Sequence, residues 1–590
     1  MMKRAVMPGR TGAVAWVGLI VVLAAVTAAC RGRDQPPAQG GTGAPSAAQG
    51  AASSAAEPND AVGAVTDELL REGHRARTAT WPTYGGDWGQ TRYSPLAQIN
   101  RSTVKRLRPA WIAQTGIVGS FENTPVVLGR EMYVSTPGEG GVQRVIRLDS
   151  TTGEVTWQVG VQGKAASDQA ATEDLHLPTH FGPNRGVAVY GTRVYVGTLN
   201  GTLLALDRAT GQKAFEVKTA SPRLTGAPVA ARGLIIQGIS FVDRGMVQAF
   251  DANTGALSWT WHAIPSPEEG GWWGDFVETM PGNPAISLNR DIAWEKANRE
   301  RLRDGWKTGG ASAPMTPTVD AARGLVYVAT GGPDPTAFPP PSEPHPGDMR
   351  WTNSVCALRI EDGSMVWCYQ FLPHDIWGAS GPTPPILFNL VRDGRAQDVV
   401  GKFTGMANLY VLDAEKGTLV TRSDNYMPVS GTVGGVAGAN IMPGGVAGTI
   451  WSPGAYSQDT GLLYSVNQRI EGYFLPREQR RGNERFGSVA AVNPATGKVA
   501  WTQRTDQPLA GGVLATAGGL VFAGRTSGWF DAYDAATGER VWSFRMGAGC
   551  NSAPMTYQVG GRQYVALSCG GHGLLDPQGG DTVVAFALPD

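Results

Sequence analysis

The chain has 590 residues and equal numbers of basic and acidic side chains, 50 of each, so its formal net charge is zero. Its 80 Gly, 40 Pro and 18 Trp fit many short strands and turns and exclude a mainly helical protein. No basic stripe breaks the charge balance, which argues against nucleic acid as a partner.

The first element in chain order is an export signal. Lys3, Arg4 and Arg10 precede an apolar run over 13–29 that ends in Thr27-Ala28-Ala29-Cys30. A basic start, an apolar centre and small residues before a Cys predict signal cleavage and lipidation of Cys30. The alternative is a short membrane anchor, but the run falls below the roughly 20 apolar residues that a spanning helix needs. Residues 31–77 are rich in Ala, Gly, Pro, Ser and Gln and read as a disordered tether after Cys30. The folded domain is therefore expected over 78–590, periplasmic or at the cell surface, held to a membrane by the lipid.

A strand is predicted over 107–116 (LRPAWIAQTG), carrying Trp111. Seven copies of one phrase follow, with small variations: an apolar pair, Asp, a few polar residues, Thr-Gly, then an aromatic four residues after the Gly, replaced by Thr421 in the fifth copy. They are 146–157 (IRLDSTTGEVTW), 204–215 (LALDRATGQKAF), 248–259 (QAFDANTGALSW), 356–367 (CALRIEDGSMVW), 410–421 (YVLDAEKGTLVT), 490–501 (AAVNPATGKVAW) and 531–542 (DAYDAATGERVW). Each reads as a hairpin whose Gly supplies the left-handed position of the turn. One such hairpin is marginal in water, but units stacked around an axis bury their faces against one another. The final strand over 582–588 (TVVAFAL) is placed to close a last blade with the Trp111 strand. The prediction is an all-β, eight-bladed β-propeller closed by both chain ends, with seven blades as the alternative.

Three segments interrupt the repeats: 265–310 with a predicted helix over 291–304, a Pro-rich stretch over 331–351, and a Gly-rich stretch over 422–450. Long loops on a rigid ring shape the mouth of its central funnel, or merely decorate it. Cys356 and Cys368 lie symmetrically about the Asp362 turn, and Cys550 and Cys569 flank the turn at Gly560-Gly561. Two disulfides are expected, with buried free thiols as the alternative. No Cys-x-x-Cys-His occurs, which argues against covalent haem.

The stretches 81–100 (WPTYGGDWGQTRYSPLAQIN), 373–377 (PHDIW), 509–528 (LAGGVLATAGGLVFAGRTSG) and 570–590 (GGHGLLDPQGGDTVVAFALPD) together resemble the PQQ-dependent alcohol and sugar dehydrogenases. The ending is most similar to the membrane-associated glucose dehydrogenase branch. The resemblance covers about 80–590 and implies an eight-bladed quinoprotein. It implies PQQ in the funnel over a Ca²⁺ or lanthanide ion, an Asp that takes the substrate hydroxyl proton, and an external electron acceptor.

Position by position, the resemblance implies cofactor contacts at Arg185 in Asn184-Arg185-Gly186, at Thr198 in VGTLNG and at Ser312 in GGASAP. Elsewhere the chain departs from the family pattern. Pro314 replaces the aromatic beneath the quinone. Ser240 and Gly332 stand at metal-ligand positions, and Gly378 at the catalytic Asp. Gly405, Ile450 and Ala510 replace a cofactor-facing Arg, Asn and funnel Trp, and the adjacent Cys pair of many alcohol dehydrogenases is absent. Ca²⁺ wants six to eight oxygen ligands, which Ser and Gly do not supply. An Asp lies near each lost position, so Asp243 and Asp334 become the metal candidates and Asp375 the catalytic candidate.

Other candidates carry less. His374 beside Asp375 could form an acid–base pair, but neighbouring residues of a strand point opposite ways. His176 and His180 suit a metal only on a helix, and Pro178 and Pro183 break that stretch. His572 reads as structural, and no phosphate loop or Ser-His-Asp set is legible. Two functions follow: a quinoprotein dehydrogenase of an alcohol or sugar hydroxyl with an altered site, or a cofactor-free propeller that binds a ligand or protein in its funnel.

Overall fold

Each repeat closes the third and fourth strands of an antiparallel four-stranded sheet. In the first copy, strands Val142–Asp149 and Val155–Gln162 flank the turn. The Asp149 carboxylate accepts from the backbone N–H of Thr151 and Thr152 at 2.8 and 3.2 Å, and Gly153 takes φ 76°. The same side-chain cap recurs at Asp207, Asp251, Asp413, Asn493 and Asp534. The repeated Asp is thus a turn former, and Gly is needed where φ is left-handed.

In five of the seven repeats the aromatic docks onto the turn of the next blade, as Trp157, Phe215, Trp259, Trp367 and Trp501 do. Trp157 lies against Gly211, where a Cβ would sit 2.9 Å from the indole, and its Nε1–H donates to Arg208 O at 3.1 Å. Trp111 reaches Gly153 and Ser150 O, Trp259 reaches Gly363 and Ile360 O, and Trp501 reaches Gly538 and Ala535 O in the same way. A Cβ on that Gly would collide with the ring, so one position serves both the turn and the seam.

The computed structural model describes residues 62–589 apart from 139–140, 163–181, 241, 334–346, 376–380, 429–445, 471–484, 573–574 and 576–577. Eight sheets of this kind form the ring. Blades 1–4 span 126–162, 188–218, 229–262 and 318–370, and blades 5–7 span 386–422, 455–505 and 513–545. Blade 8 combines Met555–Val559, Arg562–Cys569 and Thr582–Ala587 with the early strand Arg108–Gln114, which pairs Trp111 with Ala585. The ring is therefore closed by both chain ends, as expected. Cys356–Cys368 and Cys550–Cys569 are both disulfides.

Two expectations are corrected. The tether was expected to run to residue 77, yet helix Asp67–Ala76 stands inside it, capped by the Thr66 hydroxyl. Val65 and Leu70 bury against blade 2, and the His74 ring bridges Thr80 O and Ser94 Oγ at 2.6 and 2.7 Å. Burial pushes that imidazole down to about 4. The bulk composition of 31–77 hid these few apolar anchors. The insertion helix is also shorter than 291–304: it runs Ile292–Ala297 from an Asp291 cap and gives way to a 3₁₀ turn at Gly305–Lys307. Cys30 and the other residues before 62 lie outside the described residues. Among the described residues, no helix is long and apolar enough to cross a membrane.

The stretch 62–94 bonds to every blade. Arg208 donates to Val62 O and Gly63 O, Thr80 and Trp81 pair with Leu128 and Val127, and Trp88 Nε1 donates to Ala230 O. The backbone oxygens of Trp88, Gly89, Thr91 and Arg92 accept from Val319, Leu387, Tyr456 and Ala515, in blades 4, 5, 6 and 7. Thr78 O accepts from Gln558 in blade 8. Arg92 is fully buried and donates only to neutral oxygens: Val513 O at 2.9 Å, Tyr84 O at 2.6 Å, Pro554 O at 2.5 Å and Thr124 Oγ1 at 3.3 Å.

Candidate functional site

In an antiparallel blade, the segment entering the first strand and the loop between the second and third strands lie at the same end of the ring. Arg185, Ser312, Gly381 and Trp451 occupy entering segments. Thr198, Asp243, Gly332, Gly405 and His572 occupy second-to-third-strand loops. The topology therefore gathers the predicted site at one mouth of the ring.

Arg185 is the centre of a buried polar cluster. Its Nη2–H donates to Glu122 Oε2, both side chains being under a tenth exposed, and the other Glu122 oxygen lies 3.1 Å from His572 Nε2. Burial alone would raise the Glu122 carboxyl, but Arg185 and His572 outweigh it and hold the group below its ordinary value. Trp451 stacks on the His572 ring, planes within 5° and centroids 5.8 Å apart, and packs on Tyr84, Ala227 and Met315. Burial pushes the Tyr84 hydroxyl up to about 12, against the pull of Arg92 and Arg185.

The other predicted residues fall around this cluster unevenly. Thr198 is fully buried, and its hydroxyl is engaged locally with Asn200 and with Thr202 at 2.7 Å. Its backbone joins Leu224, next to the Thr225 that accepts from Arg185 N–H. Ser312 O accepts from Gly331, whose own O accepts from Asn353 N–H. The Asn353 amide donates to Asp375 Oδ2 at 2.9 Å, so Ser312 and Asp375 sit at the two ends of one short chain of contacts. His374 turns away: its Nδ1 meets Gly347 O at 3.2 Å and its Nε2 lies 3.9 Å from Glu295. Burial, reinforced by Arg290, pushes that imidazole down. The acid–base pairing of His374 with Asp375 is therefore not made.

Of the two metal candidates, only Asp243 lies within the described residues. Asp243 is exposed, and its O accepts from Gly310 in a ladder that also joins Ala311 to Gly332. Asp334, His176, His180 and Gly378 lie outside the described residues. Among the described residues, no group of three or more His, Cys, Asp or Glu is placed to hold a metal ion. Ser240 Oγ, at an implied ligand position, is buried with no hydrogen-bond partner among the described residues.

Sequence reasoning missed Glu122, Trp451 and Lys402. The signal for Glu122 was positional: it enters the first strand of blade 1 as Arg185 enters that of blade 2. Lys402 is the one charge in the run VVGKF and is wholly buried.

A profile described as PQQ: Glucose/ethanol/alcohol dehydrogenase, beta-propeller domain, matches residues 81–431 and 483–565. The chain is 31% identical to the quinohemoprotein alcohol dehydrogenase of Comamonas testosteroni over 97% of its own length and 83% of that protein's. It is 28% identical to the quinoprotein ethanol dehydrogenase of Pseudomonas aeruginosa, with 84% and 87% covered. The solved Comamonas testosteroni enzyme superposes with a TM-score of 0.73 at 28% identity, over 89% of this chain and 82% of that one. A europium-containing methanol dehydrogenase superposes with a TM-score of 0.71 at 25% identity, over 89% of this chain and all of that one.

Proposed function

The chain belongs to the PQQ-dependent glucose/ethanol/alcohol dehydrogenase β-propeller family, and from that premise we propose that it oxidises an alcohol or sugar hydroxyl at the mouth of its ring and passes the electrons to an external acceptor. The observation that carries this reading is the buried Glu122–Arg185–His572 cluster against Trp451, at the place where the family resemblance puts the cofactor. Two disulfides and the N-terminal apolar stretch support a site outside the cytoplasm, with Cys30 as lipid anchor.

The residues fit the quinone better than the metal. PQQ is an anionic, planar group, and Arg185 supplies a buried cation for it. Trp451 Nε1 is a buried donor without a partner among the described residues, beside that cluster. Ser240 and Gly332 offer no anionic oxygen, so no step is assigned to a metal ion, and Asp243 with Asp334 is not carried forward as a metal pair. Bound PQQ would supply the two-electron acceptor. Arg185 would hold an acidic group of it, Trp451 would orient its edge, and Glu122 would keep Arg185 in place. Asp375 is the proposed proton acceptor. The Asn353 amide donates to its Oδ2 and holds the carboxyl group in place to take the hydroxyl proton.

A second reading, the cofactor-free binding propeller, is favoured by the local capture of the Thr198 hydroxyl and the internal pairing of Arg185. One experiment separates the two. Purified protein is titrated with PQQ, followed by quinone absorbance and by dye reduction with a panel of alcohols and aldoses. The dehydrogenase reading expects both signals in the wild type and their loss in Arg185→Ala. No absorbance change and no dye reduction in the wild type would leave the binding reading.

A further inference from the structure

Lys402 is a charge buried within the ring. It lies in strand Arg395–Phe403 of blade 5, opposite Tyr410, and is wholly buried. Its ammonium donates to Gly381 O at 2.5 Å, to Phe403 O at 2.8 Å and to Thr383 Oγ1. Thr383 spends its own proton on Phe403 O at 2.8 Å, so it can only accept from Lys402. Three donors meeting three oxygens is the pattern of the charged amine rather than the neutral one. All three oxygens are neutral, the Phe371 ring lies 5.5 Å from Nζ, and no carboxylate pairs with Lys402 among the described residues. Burial pushes the amine well below its ordinary range, so holding the charge costs free energy until an anion arrives.

Its place decides what it can do. A Cβ on Gly381 would sit 2.5 Å from Ile450 O, so Gly381 touches the segment that presents Trp451 to the site. Lys402 therefore stands one layer behind the wall formed by Ile450 and Trp451. It is three residues from Gly405, where the resemblance implies a cofactor-facing Arg that this chain lacks. Arg92 is a second wholly buried cation whose hydrogen-bond partners are all neutral oxygens. Glu122, the carboxylate beside Arg185, is already shared by Arg185 and His572.

We propose that Lys402, rather than a divalent metal ion, supplies the positive charge on the blade-5 side of the site, so that the protein takes an anionic quinone cofactor without a metal. This rests on the reading of the site as a PQQ site. It replaces the implied metal with an ammonium held in place by three oxygens of the fold, matching a chain whose implied metal-ligand positions hold Ser240 and Gly332.

The test uses the full chain and measures PQQ affinity by absorbance titration and calorimetry, in EDTA and with added Ca²⁺. The expected result is wild-type binding that EDTA leaves unchanged. Lys402→Met, close in length but uncharged, should bind about tenfold or more weakly, and Lys402→Arg should recover part of the loss. Melting curves without ligand show whether each variant is folded; if Lys402→Met is not, the wild-type EDTA comparison decides. Binding only with Ca²⁺ would overturn the proposal and leave the PQQ reading standing. Equal affinity of wild type and folded Lys402→Met would also overturn it. No binding under either condition removes the PQQ reading and this proposal with it.

Discussion

Glu122 shows how a single buried side chain can report on the whole cluster. Its carboxyl is held below the ordinary value of 4.5, so its stabilisation is present in full above about pH 4.5 and is lost as pH falls through the lower, folded value. Glu122→Gln should therefore be less stable near neutrality, by about 3 kcal/mol, because Arg185 loses its buried counter-charge. It should also lose less stability than wild type between neutrality and pH 3. Denaturant midpoints measured across that range check both points; parallel curves for the two proteins would mean that Glu122 has no ionic role. Arg185 was legible in the sequence because the Asn-Arg-Gly phrase carried it. Glu122 was not, because a lone Glu in FENTP has no periodic or motif signal, and only the fold brings it to Arg185 and His572.

At the scale of the hairpin, the repeat was almost fully legible, since its Asp, Gly and Trp each perform a local task that leaves a fixed spacing. Gly211→Ala tests this directly. A methyl group there would meet Trp157 at 2.9 Å in a backbone with φ 73°, so both the seam and the turn are strained. A loss of about 1–3 kcal/mol is expected in chemical unfolding. A loss no larger than that of an ordinary surface change, about 0.5 kcal/mol, would refute the docking role. The loops were far less legible. The helix at 67–76 hid inside a stretch whose average composition is that of a tether. Its buried anchors include Val65, Leu70 and His74, and none of them forms a period long enough to read. Asp243 and Asp375 were chosen by proximity in sequence, whereas their surroundings are set by strands and loops tens of residues away.

For the whole molecule, closure depends on one strand from near the start lying in the last blade. Trp111 is buried there and docks on blade 1 through Gly153 and Ser150 O. Trp111→Ala should cost about 3–5 kcal/mol, like removal of any large core aromatic, as read by thermal or denaturant unfolding. A near-neutral result would mean that the ring does not rely on that seam. The eight blades and their closure followed from the repeat because every blade solves the same packing problem. The chemistry did not, because it lies where the blades differ.

Arg92 bonds to Val513 and Pro554, partners 421 and 462 residues away. A polypeptide emerging from the ribosome must therefore keep this early guanidinium waiting while most of its length is made. Maturation is then governed by the last segment to be synthesised, and until that arrives the nascent protein depends on whatever shields its unfinished middle from other chains.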